Sequence, residues 1–350
     1  MSLETNLALW LGGLTVAAFV ISWLGTGLTL RFLRLIGALE SPNHRSSHTV
    51  PTPNGGGVGP VVALLLTWSV AALSAPAAFG AGTAAPDRIL VIAAALGAIS
   101  WIDDLRRNLS PLVRLAAQVL AVVGGLATIP PGLFLGLPAW AELTLAAVIW
   151  VWFINLFNFM DGIDGIAGTQ TIVVGFGIAV VAVLLGAAPI HALYGLTAAA
   201  AALGFLLWNW RPARVFLGDV GSIPLGYLLG WLLLQLAAHG GWAAAILLPL
   251  FFVADASVTL LRRVLRGQAP WRAHREHFYQ RAAAAMGDHA AVVLLMVYLD
   301  AVLILLALAA TVIPALALPA VGIGAVLTAG LLWYLGRRAT ATRPEDAPFA

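Results

Sequence analysis

Long apolar runs, each near the length of a membrane-spanning helix, follow one another along almost the whole chain. A transmembrane helix needs about 20 mostly apolar residues, and glycine and proline are common within one. The sequence therefore predicts an all-α, polytopic membrane protein, with a single integral membrane domain over residues 1–350. About eleven transmembrane helices are predicted, at 6–33, 57–79, 87–102, 111–129, 138–157, 166–188, 190–208, 221–238, 241–261, 289–310 and 315–336.

The composition excludes several other classes of protein. The chain is 61% hydrophobic and 9% charged, whereas an average soluble domain is about 25% charged and could not cover its surface with so few polar residues. The absence of cysteine rules out disulfides and thiolate metal sites. A net charge of +3 is too small to indicate a nucleic-acid partner. The first run, Leu7 to Leu30, is longer than the apolar core of a cleavable signal peptide and is expected to be the first transmembrane helix.

The arginines predict the orientation. With the N-terminus on the periplasmic side, every arginine except Arg88 lies on the inward connections, as the positive-inside rule requires. The C-terminus is then cytoplasmic. The same side holds nearly all the polar clusters, in loops near 38–57, 103–110, 155–165, 209–221 and 262–289, which we expect to form an active site on the cytoplasmic face.

Two adjacent acids, Asp103 and Asp104, end the third predicted helix. Neighbouring carboxylates repel each other and need a cation or a shared proton. Since adjacent residues on a helix point in different directions, the two are expected to do different jobs. The alternative is a solvated helix end balanced by Arg106 and Arg107.

A second cluster contains Asn155, Asn158, Asp161 and Asp164 and borders a membrane helix without a nearby cation. Residues three apart share a helix face, so each pair would do so if the helix continued. Uncompensated carboxylates at membrane depth are costly and indicate function, and their oxygens suit a hard cation such as Mg²⁺.

The third cluster runs from Asn209 to Ser222 and contains Asp219 between glycines at the start of the next helix. Such a helix start favours phosphate, and the carboxylate could bind a metal beside it. An ordinary capped turn explains this segment equally well.

Two further loops are candidates for anion binding. The loop from 262 to 289 contains His274, Arg275, His277 and Arg281. Two histidines without a third nitrogen ligand are a weak zinc signal, and the arginines favour a pyrophosphate or a nucleotide. The alternative is a basic loop at anionic lipid headgroups.

The earlier loop, with Arg45, Ser46, His48 and a run of glycines, could close over a phosphate headgroup or be a flexible linker. Two acids lie within predicted helices. Asp255 is about 10 Å below the cytoplasmic end of its helix and within reach of the site, and Asp300 has no assigned role.

These motifs, in this order and on one face, resemble the polyprenyl-phosphate N-acetylhexosamine-1-phosphate transferase superfamily, glycosyltransferase family 4. The resemblance extends from about Ser41 to Arg281. The segments around Arg45 and His274 look most like its O-antigen initiating branch. The lysine of the peptidoglycan branch's acidic motif and its denser histidine cluster are missing, which argues against the peptidoglycan substrate.

The resemblance implies roles for individual residues. Asp219 would be the direct magnesium ligand, with Asp104 beside it, and Mn²⁺ could substitute. Asp103 and Asp104 would lie next to the attacking polyprenyl phosphate, one of them as its base. Asp161 and Asp164 would bind the nucleotide or the metal, and phosphate or uridine would be oriented by Asn155, Asn158 and Asn209. The diphosphate or the sugar would be bound by His274, Arg275, His277 and Arg281. Substrate would also be bound by Arg45, Ser46 and His48.

The implied reaction transfers a phospho-N-acetylhexosamine from a UDP-sugar to undecaprenyl phosphate in the bacterial inner membrane and releases UMP. Membrane lipids are expected partners, and a homodimer is compatible with the resemblance. The main alternative is a transporter with an acidic ion site on the cytoplasmic side, but a transporter should have polar residues at the bilayer midplane. The acidic motif of the CDP-alcohol phosphotransferases is not found. The sequence does not identify the sugar.

Overall fold

A computed structural model of the protein describes residues 3–40, 51–74, 86–106, 109–130, 137–269 and 274–341, and these are almost entirely helical. The helices are α1 (Leu3–Leu35), α2 (Val58–Ser74), α3 (Pro86–Arg106), α4 (Pro111–Leu126), α5 (Ala139–Phe159), α6 (Ile166–Leu184), α7 (Pro189–Asn209), α8 (Asp219–Leu236), α9 (Trp242–Leu247), α10 (Leu250–Leu265), α11 (Phe278–Met286), α12 (His289–Val312) and α13 (Ala317–Ala341). A π-helical turn (Ala237–Gly241) joins α8 to α9, and a 3₁₀ turn (Pro314–Leu316) precedes α13. Two short strands, β1 (Leu39–Glu40) and β2 (Thr52–Pro53), pair antiparallel. The all-α prediction is confirmed for the described residues.

Helix α8 is the centre of the molecule. Every residue from Val220 to Leu236 is buried, as expected for a helix that is apolar on all sides. Helices α2, α3, α5 and α6 pack around it. On the α5 side, the indole N–H of Trp150 donates a 2.8 Å hydrogen bond to the carbonyl of Tyr227. The surrounding helices therefore fix the position of the first turn of α8, at Asp219.

The glycine run after β2 pairs with the segment that leads into α8. The N–H groups of Gly55 and Gly56 donate to the carbonyl of Phe216, at 3.1 and 2.8 Å, and the Phe216 N–H donates to the carbonyl of Pro53 at 2.9 Å. The backbones approach closely, since a Cβ on Gly57 would lie 2.3 Å from the Cα of Gly221. The run that could have been a flexible linker is thus a close backbone contact that only glycine permits.

Among the described residues, seven helical segments are long and apolar enough to cross a membrane, which makes this a multi-pass membrane protein. They are Leu7–Leu35, Ala139–Phe159, Ile166–Leu184, Pro189–Asn209, Asp219–Leu247, His289–Val312 and Pro314–Ala339. Helices α2 and α4 are apolar but shorter, and α3 carries charged residues at both ends. The count of eleven spans and the orientation of the termini remain predictions.

The structure corrects three details of the helix predictions. The predicted helix at 241–261 is broken into α9 and α10 at Pro249, which has no N–H to donate within a helix. The loop from 262 to 289 contains α11, which was not predicted. Helix α5 ends at Phe159, so Asp161 and Asp164 lie in the turn after it and not on a continued helix face.

Candidate active site

The two adjacent acids at the end of α3 bind different parts of the protein. Asp103 is buried, accepts a 2.9 Å hydrogen bond from the Leu109 N–H, and lies 2.8 Å from Nε of Arg114. Asp104 accepts hydrogen bonds from the first two backbone N–H groups of α8, at 3.2 and 2.9 Å. A carboxylate there satisfies N–H groups that have no partner within the helix and interacts favourably with the helix dipole. Asp104 thus caps α8, whereas Asp103 is tied to α4.

Asp219, the first residue of α8, lies at the centre of a polar network. Its Oδ2 is 2.9 Å from Nη1 of Arg114, and its Oδ1 accepts a 2.8 Å hydrogen bond from Nδ2 of Asn158. The same amide nitrogen donates to Oγ of Ser222 at 2.8 Å. Arg114 therefore bridges Asp219 and Asp103, two acids from different helices.

Arg114 was counted only among the inward arginines and was not predicted as a site residue. It stands in the first turns of α4, an otherwise apolar helix. A lone cation at the start of an apolar helix, on the same face as unpaired acids, is the signal that could have identified it.

Three carboxylates converge around the start of α8. Burial raises the pKa of Asp161 well above its ordinary value, and the negative charges of Asp219, Asp104 and Glu40 raise it further. Burial, followed by the charge of Asp219, raises the pKa of Asp104 to about 7. Arg114 is bound to this group, so if all three carboxylates were ionised they would carry more negative charge than Arg114 neutralises, and protons or a further cation must balance the remainder.

Asp164 also raises the pKa of Asp161 through its charge, but its own carboxylate is bound to different partners. Its Oδ2 accepts a 3.1 Å hydrogen bond from the N–H of Ala213, and its Oδ1 is 3.4 Å from Nδ1 of His289. Burial alone would raise the pKa of Asp164, but these two partners and the charge of Arg211 lower it below its ordinary value. Asp164 therefore ties the turn after α5 to α12, and its predicted catalytic role remains a prediction.

Asn209 has a comparable place. Its buried amide accepts a 2.9 Å hydrogen bond from the N–H of Gly165 and donates a 2.9 Å bond to the carbonyl of Val215. Both ends of the side chain are thus engaged by backbone, and Asn209 joins the turn after α5 to the segment before α8. The predicted contact of Asn209 with phosphate or uridine remains a prediction.

The histidine segment before α11 is bound to α10. The ring of His277 is buried, lies 3.1 Å through Nδ1 from Oδ1 of Asp255, and stacks on the ring of His274 at 5.0 Å. Arg263 forms an ion pair with Glu276. Burial and the positive charges nearby lower the pKa of His274 to about 4, so that its ring is neutral at pH 7.

The structure describes some of the remaining residues predicted in the loops 38–57 and 262–289 and leaves others outside the described ranges. Arg275 and Arg281 are half-buried beside the histidines. Arg45, Ser46 and His48 lie outside the described residues. Asp255, in α10, lies against His277 of the histidine segment. Asp300 lies in the middle of α12, and both its carboxylate oxygens are buried without a hydrogen-bond partner.

An apolar groove begins next to the carboxylates. It has a volume of about 560 Å³ and lies between α4, α5 and α10, with Val119, Val148 and Leu260 among its lining residues. Asn155 is the polar residue of its lining and donates a 2.6 Å hydrogen bond to Gln118. One turn further along α5, Asn158 binds Asp219. Helix α5 thus connects an apolar groove to the acidic group.

Within the described ranges, no three acidic or histidine side chains form a ready-made metal cage. The surplus of negative charge at Asp104, Asp161 and Asp219 nevertheless suits a hard divalent cation. Mg²⁺ is commonly bound by one or two carboxylates together with substrate phosphates and water. The acids present are therefore compatible with a cation whose coordination the substrates complete.

Comparison with known proteins gives consistent matches. The family model described as glycosyl transferase family 4 matches residues 88–237, from α3 through α8. A decaprenyl-phosphate N-acetylglucosaminephosphotransferase of Mycolicibacterium smegmatis is 29% identical, over 81% of this chain and 77% of that protein. A probable undecaprenyl-phosphate N-acetylglucosaminyl 1-phosphate transferase of Bacillus subtilis is 27% identical, over 75% and 76%. A phospho-N-acetylmuramoyl-pentapeptide-transferase of Deinococcus radiodurans is 33% identical, over 60% and 72%.

Proposed function

The chain belongs to glycosyl transferase family 4, and on that premise we propose that it transfers a phospho-N-acetylhexosamine from a UDP-sugar to undecaprenyl phosphate. The sugar is of the GlcNAc, QuiNAc or FucNAc type, and UMP is released. The relatives named above act, by their names, on decaprenyl or undecaprenyl phosphate or transfer phospho-N-acetylmuramoyl-pentapeptide. The reaction would initiate the synthesis of O-antigen or of another cell-surface polysaccharide.

The observation that carries the proposal is the acidic group at the start of α8 beside an apolar groove. Asp104, Asp161 and Asp219 cannot all ionise at low cost unless a cation binds, and Arg114 supplies a guanidinium between two helices. The groove between α4 and α5 has the apolar lining that a polyprenyl chain needs. A lipid phosphate with its tail in the groove would bring its charged head toward this group along α5.

In the proposed reaction, an oxygen of the undecaprenyl phosphate attacks the phosphorus that carries the sugar. A new P–O bond forms, and the P–O bond to UMP breaks, so that UMP leaves with the electron pair. The second pKa of a phosphate monoester is about 6, so the carrier is largely dianionic at neutral pH. Because a dianion needs little help from a base, we propose direct attack without an aspartyl-phosphate intermediate.

Asp104 and Asp103 would have different roles in this reaction. Asp104, with its pKa raised to about 7, can take the proton from a carrier phosphate that arrives as the monoanion. Asp103 holds the guanidinium of Arg114 in place through a 2.8 Å ion pair. Arg114 is well placed to bind phosphate oxygens, since a guanidinium presents several donors in a planar fork.

Mg²⁺, or Mn²⁺ in its place, would be held by Asp219 with Asp104 and would stabilise the charge that develops on the phosphates and on the leaving UMP. Asp161 and Asn158 border the same space. The cation would offset the repulsion among the three carboxylates.

The histidine segment is proposed to bind the diphosphate or the sugar of the donor. His274 is neutral at pH 7 because of its lowered pKa, and so it would form neutral hydrogen bonds. The positive charge for a diphosphate would come from Arg275 and Arg281. The site is proposed to face the cytoplasm from the bacterial inner membrane, because arginine-rich connections favour the cytoplasmic side and UDP-sugars are water-soluble.

The test is a measurement of UMP release by the protein purified in detergent. A panel of UDP-N-acetylhexosamines would be supplied with and without undecaprenyl phosphate and with and without Mg²⁺. Release that requires both the carrier and the cation is expected, and the panel identifies the sugar. Asp219→Asn should abolish it.

The matched control is Asp288→Asn. Asp288 is exposed and caps α12 by accepting a 2.9 Å hydrogen bond from the Ala290 N–H, and asparagine caps a helix about as well as aspartate. This variant should retain full release. If no panel member released UMP and the protein bound neither UMP nor any UDP-sugar, the proposed function would be wrong.

A further inference from the structure

The carboxylate of Asp255 organises the histidine segment from inside the helical core. Asp255 is fully buried in α10, and its carboxylate accepts hydrogen bonds from four donors. Its Oδ1 accepts from Nδ1 of His277 at 3.1 Å, from the Phe278 N–H at 3.1 Å and from Oγ1 of Thr259 at 3.2 Å. Its Oδ2 accepts from the Tyr279 N–H at 3.0 Å. One side chain therefore fixes both the ring of His277 and the first turn of α11.

The second link runs from α11 to the turn that carries Asp161. The phenol of Tyr279 donates a 2.9 Å hydrogen bond to the carbonyl of Phe159, the last residue of α5. A Cβ on Gly162 would lie 2.3 Å from the Tyr279 Oη. Burial and the charges of Asp255 and Asp161 raise the pKa of Tyr279 well above its ordinary value, so the phenol keeps the proton that it donates.

We infer that Asp255 is a positioning residue for the transfer reaction: it sets the ring orientation of His277 and, through Tyr279, the position of the turn that contains Asp161. The inference rests on the proposed function, since it concerns the binding of the nucleotide sugar by that site. Because Nδ1 of His277 is occupied by Asp255, the ring presents its other nitrogen, Nε2, in a fixed direction. Carboxylates that orient a functional histidine in this way occur in metal sites and in catalytic triads.

The alternative is that Asp255 only caps α11 and holds the fold together. The two roles differ in what a substitution changes. Loss of a cap lowers the fraction of folded enzyme and hence the apparent kcat, and leaves both substrate KM values unchanged. Loss of a positioning residue raises the KM for the UDP-sugar while the KM for undecaprenyl phosphate, which binds at the groove, stays the same.

The experiment measures steady-state kinetics of Asp255→Asn, His277→Gln and the double variant, each with its thermal stability in detergent. Asparagine has the same shape but its NH₂ group cannot accept the bonds that the second carboxylate oxygen accepts. We expect Asp255→Asn to lower kcat/KM for the UDP-sugar by about 10–100-fold. In the His277→Gln background the same substitution should lower it by a clearly smaller factor, because the part of the effect that passes through His277 is already lost and only the part that passes through Tyr279 remains.

A milder variant covers the case in which Asp255→Asn does not fold. Thr259→Val removes one of the four donors to Asp255 without touching the histidine segment. It should raise the KM for the UDP-sugar a few-fold, and this effect should also be smaller in the His277→Gln background. Asp288→Asn is the matched control, an isosteric change at an exposed helix cap.

The outcomes separate the two proposals. If the wild-type protein transfers sugar phosphate but the effects of Asp255→Asn and His277→Gln multiply, or the KM for the UDP-sugar is unchanged, Asp255 is only a structural cap and the inference is wrong. If the wild-type protein shows no transfer with any UDP-sugar and binds none of them, the proposed function itself fails.

Discussion

The carboxylates on the loop side of this molecule form two groups that differ in how their charge is balanced. Asp104, Asp161 and Asp219 gather at the start of α8, where the charge of Asp219 adds to burial in raising the pKa of Asp104 and of Asp161. Asp164 and Asp255 are more completely buried, but each accepts a hydrogen bond from a backbone N–H group and lies against a histidine. The first group is balanced only when something else binds, whereas the second is already satisfied by the protein.

This difference indicates which acids bind ligands and which hold the loops together. Burial of a charge is costly unless hydrogen bonds or an opposite charge compensate it. A protein that retains an uncompensated group loses stability for it, and such groups are found at functional sites. Sequence motifs alone do not separate the two groups, since Asp161 and Asp164 are in the same motif.

The largest expected effect is that of Asp219→Asn. The substitution should lower kcat by about 10³-fold, since it removes the carboxylate that would hold the cation at the reacting phosphates. The melting temperature should be unchanged or higher, because Asp104 and Asp161 lose a repelling neighbour. Steady-state kinetics and thermal unfolding in detergent check both parts. A large fall in melting temperature would place Asp219 with the satisfied carboxylates and contradict the comparison.

Arg114→Lys should have the second largest effect. Lysine keeps the positive charge but cannot span Asp103 and Asp219 with two separate nitrogens as the guanidinium does. We expect kcat/KM to fall by about 10–100-fold, with the KM for undecaprenyl phosphate raised. Arg106→Lys, at the exposed end of α3, is the matched control and should behave as wild type. Equal activity of the two variants would show that only the charge of Arg114 matters.

Asp164→Asn should affect stability more than catalysis. The side-chain NH₂ group of the variant cannot accept a hydrogen bond as a carboxylate oxygen does. Either the Ala213 N–H or His289 therefore loses its partner. The free energy of unfolding should fall by about 1–3 kcal/mol. Activity per folded molecule should change only a few-fold, as measured by titrating folded enzyme before the assay. A fall in kcat comparable to that of Asp219→Asn, at unchanged stability, would move Asp164 into the reacting group.

The smallest expected effect is the pH dependence of stability in metal-free buffer. The pKa of Asp104 is raised to about 7, so between its unfolded value near 3.9 and that pKa the folded protein binds the extra proton. Stability is therefore highest at low pH within this range and falls as pH rises through 7. The melting temperature should drop between pH 6 and pH 8, and Asp104→Asn should reduce the drop.

The lowered pKa of Asp164 has the opposite effect on how stability depends on pH. Its contribution to stability is present above the unfolded pKa of about 3.9 and is lost as pH falls through its lower folded value. Asp164→Asn should therefore leave the slope between pH 6 and pH 8 unchanged. If Asp164→Asn altered that slope as much as Asp104→Asn did, the two groups of carboxylates would not be distinct.

Much of the fold was predictable from the sequence because a membrane-spanning helix satisfies its own backbone hydrogen bonds and needs only a sufficiently long apolar run. The runs that became α5, α6, α7, α8, α12 and α13 were recognised for this reason. The break at Pro249 and the short helix α11 were missed. A proline within an apolar run can be tolerated or can end a helix, and a nine-residue amphipathic helix gives little periodic signal.

The sequence by itself determined the class of protein, the order of its motifs and the acidic character of the site, because these depend on residue types and on spacing along one chain. Only the tertiary structure decided how each acid is used. Arg114 meets Asp219 across 105 positions of the sequence, and Asp255 meets Tyr279 across two helices. Charge balance depends on such partners, which the packing of helices around α8 brings together and which no local pattern specifies.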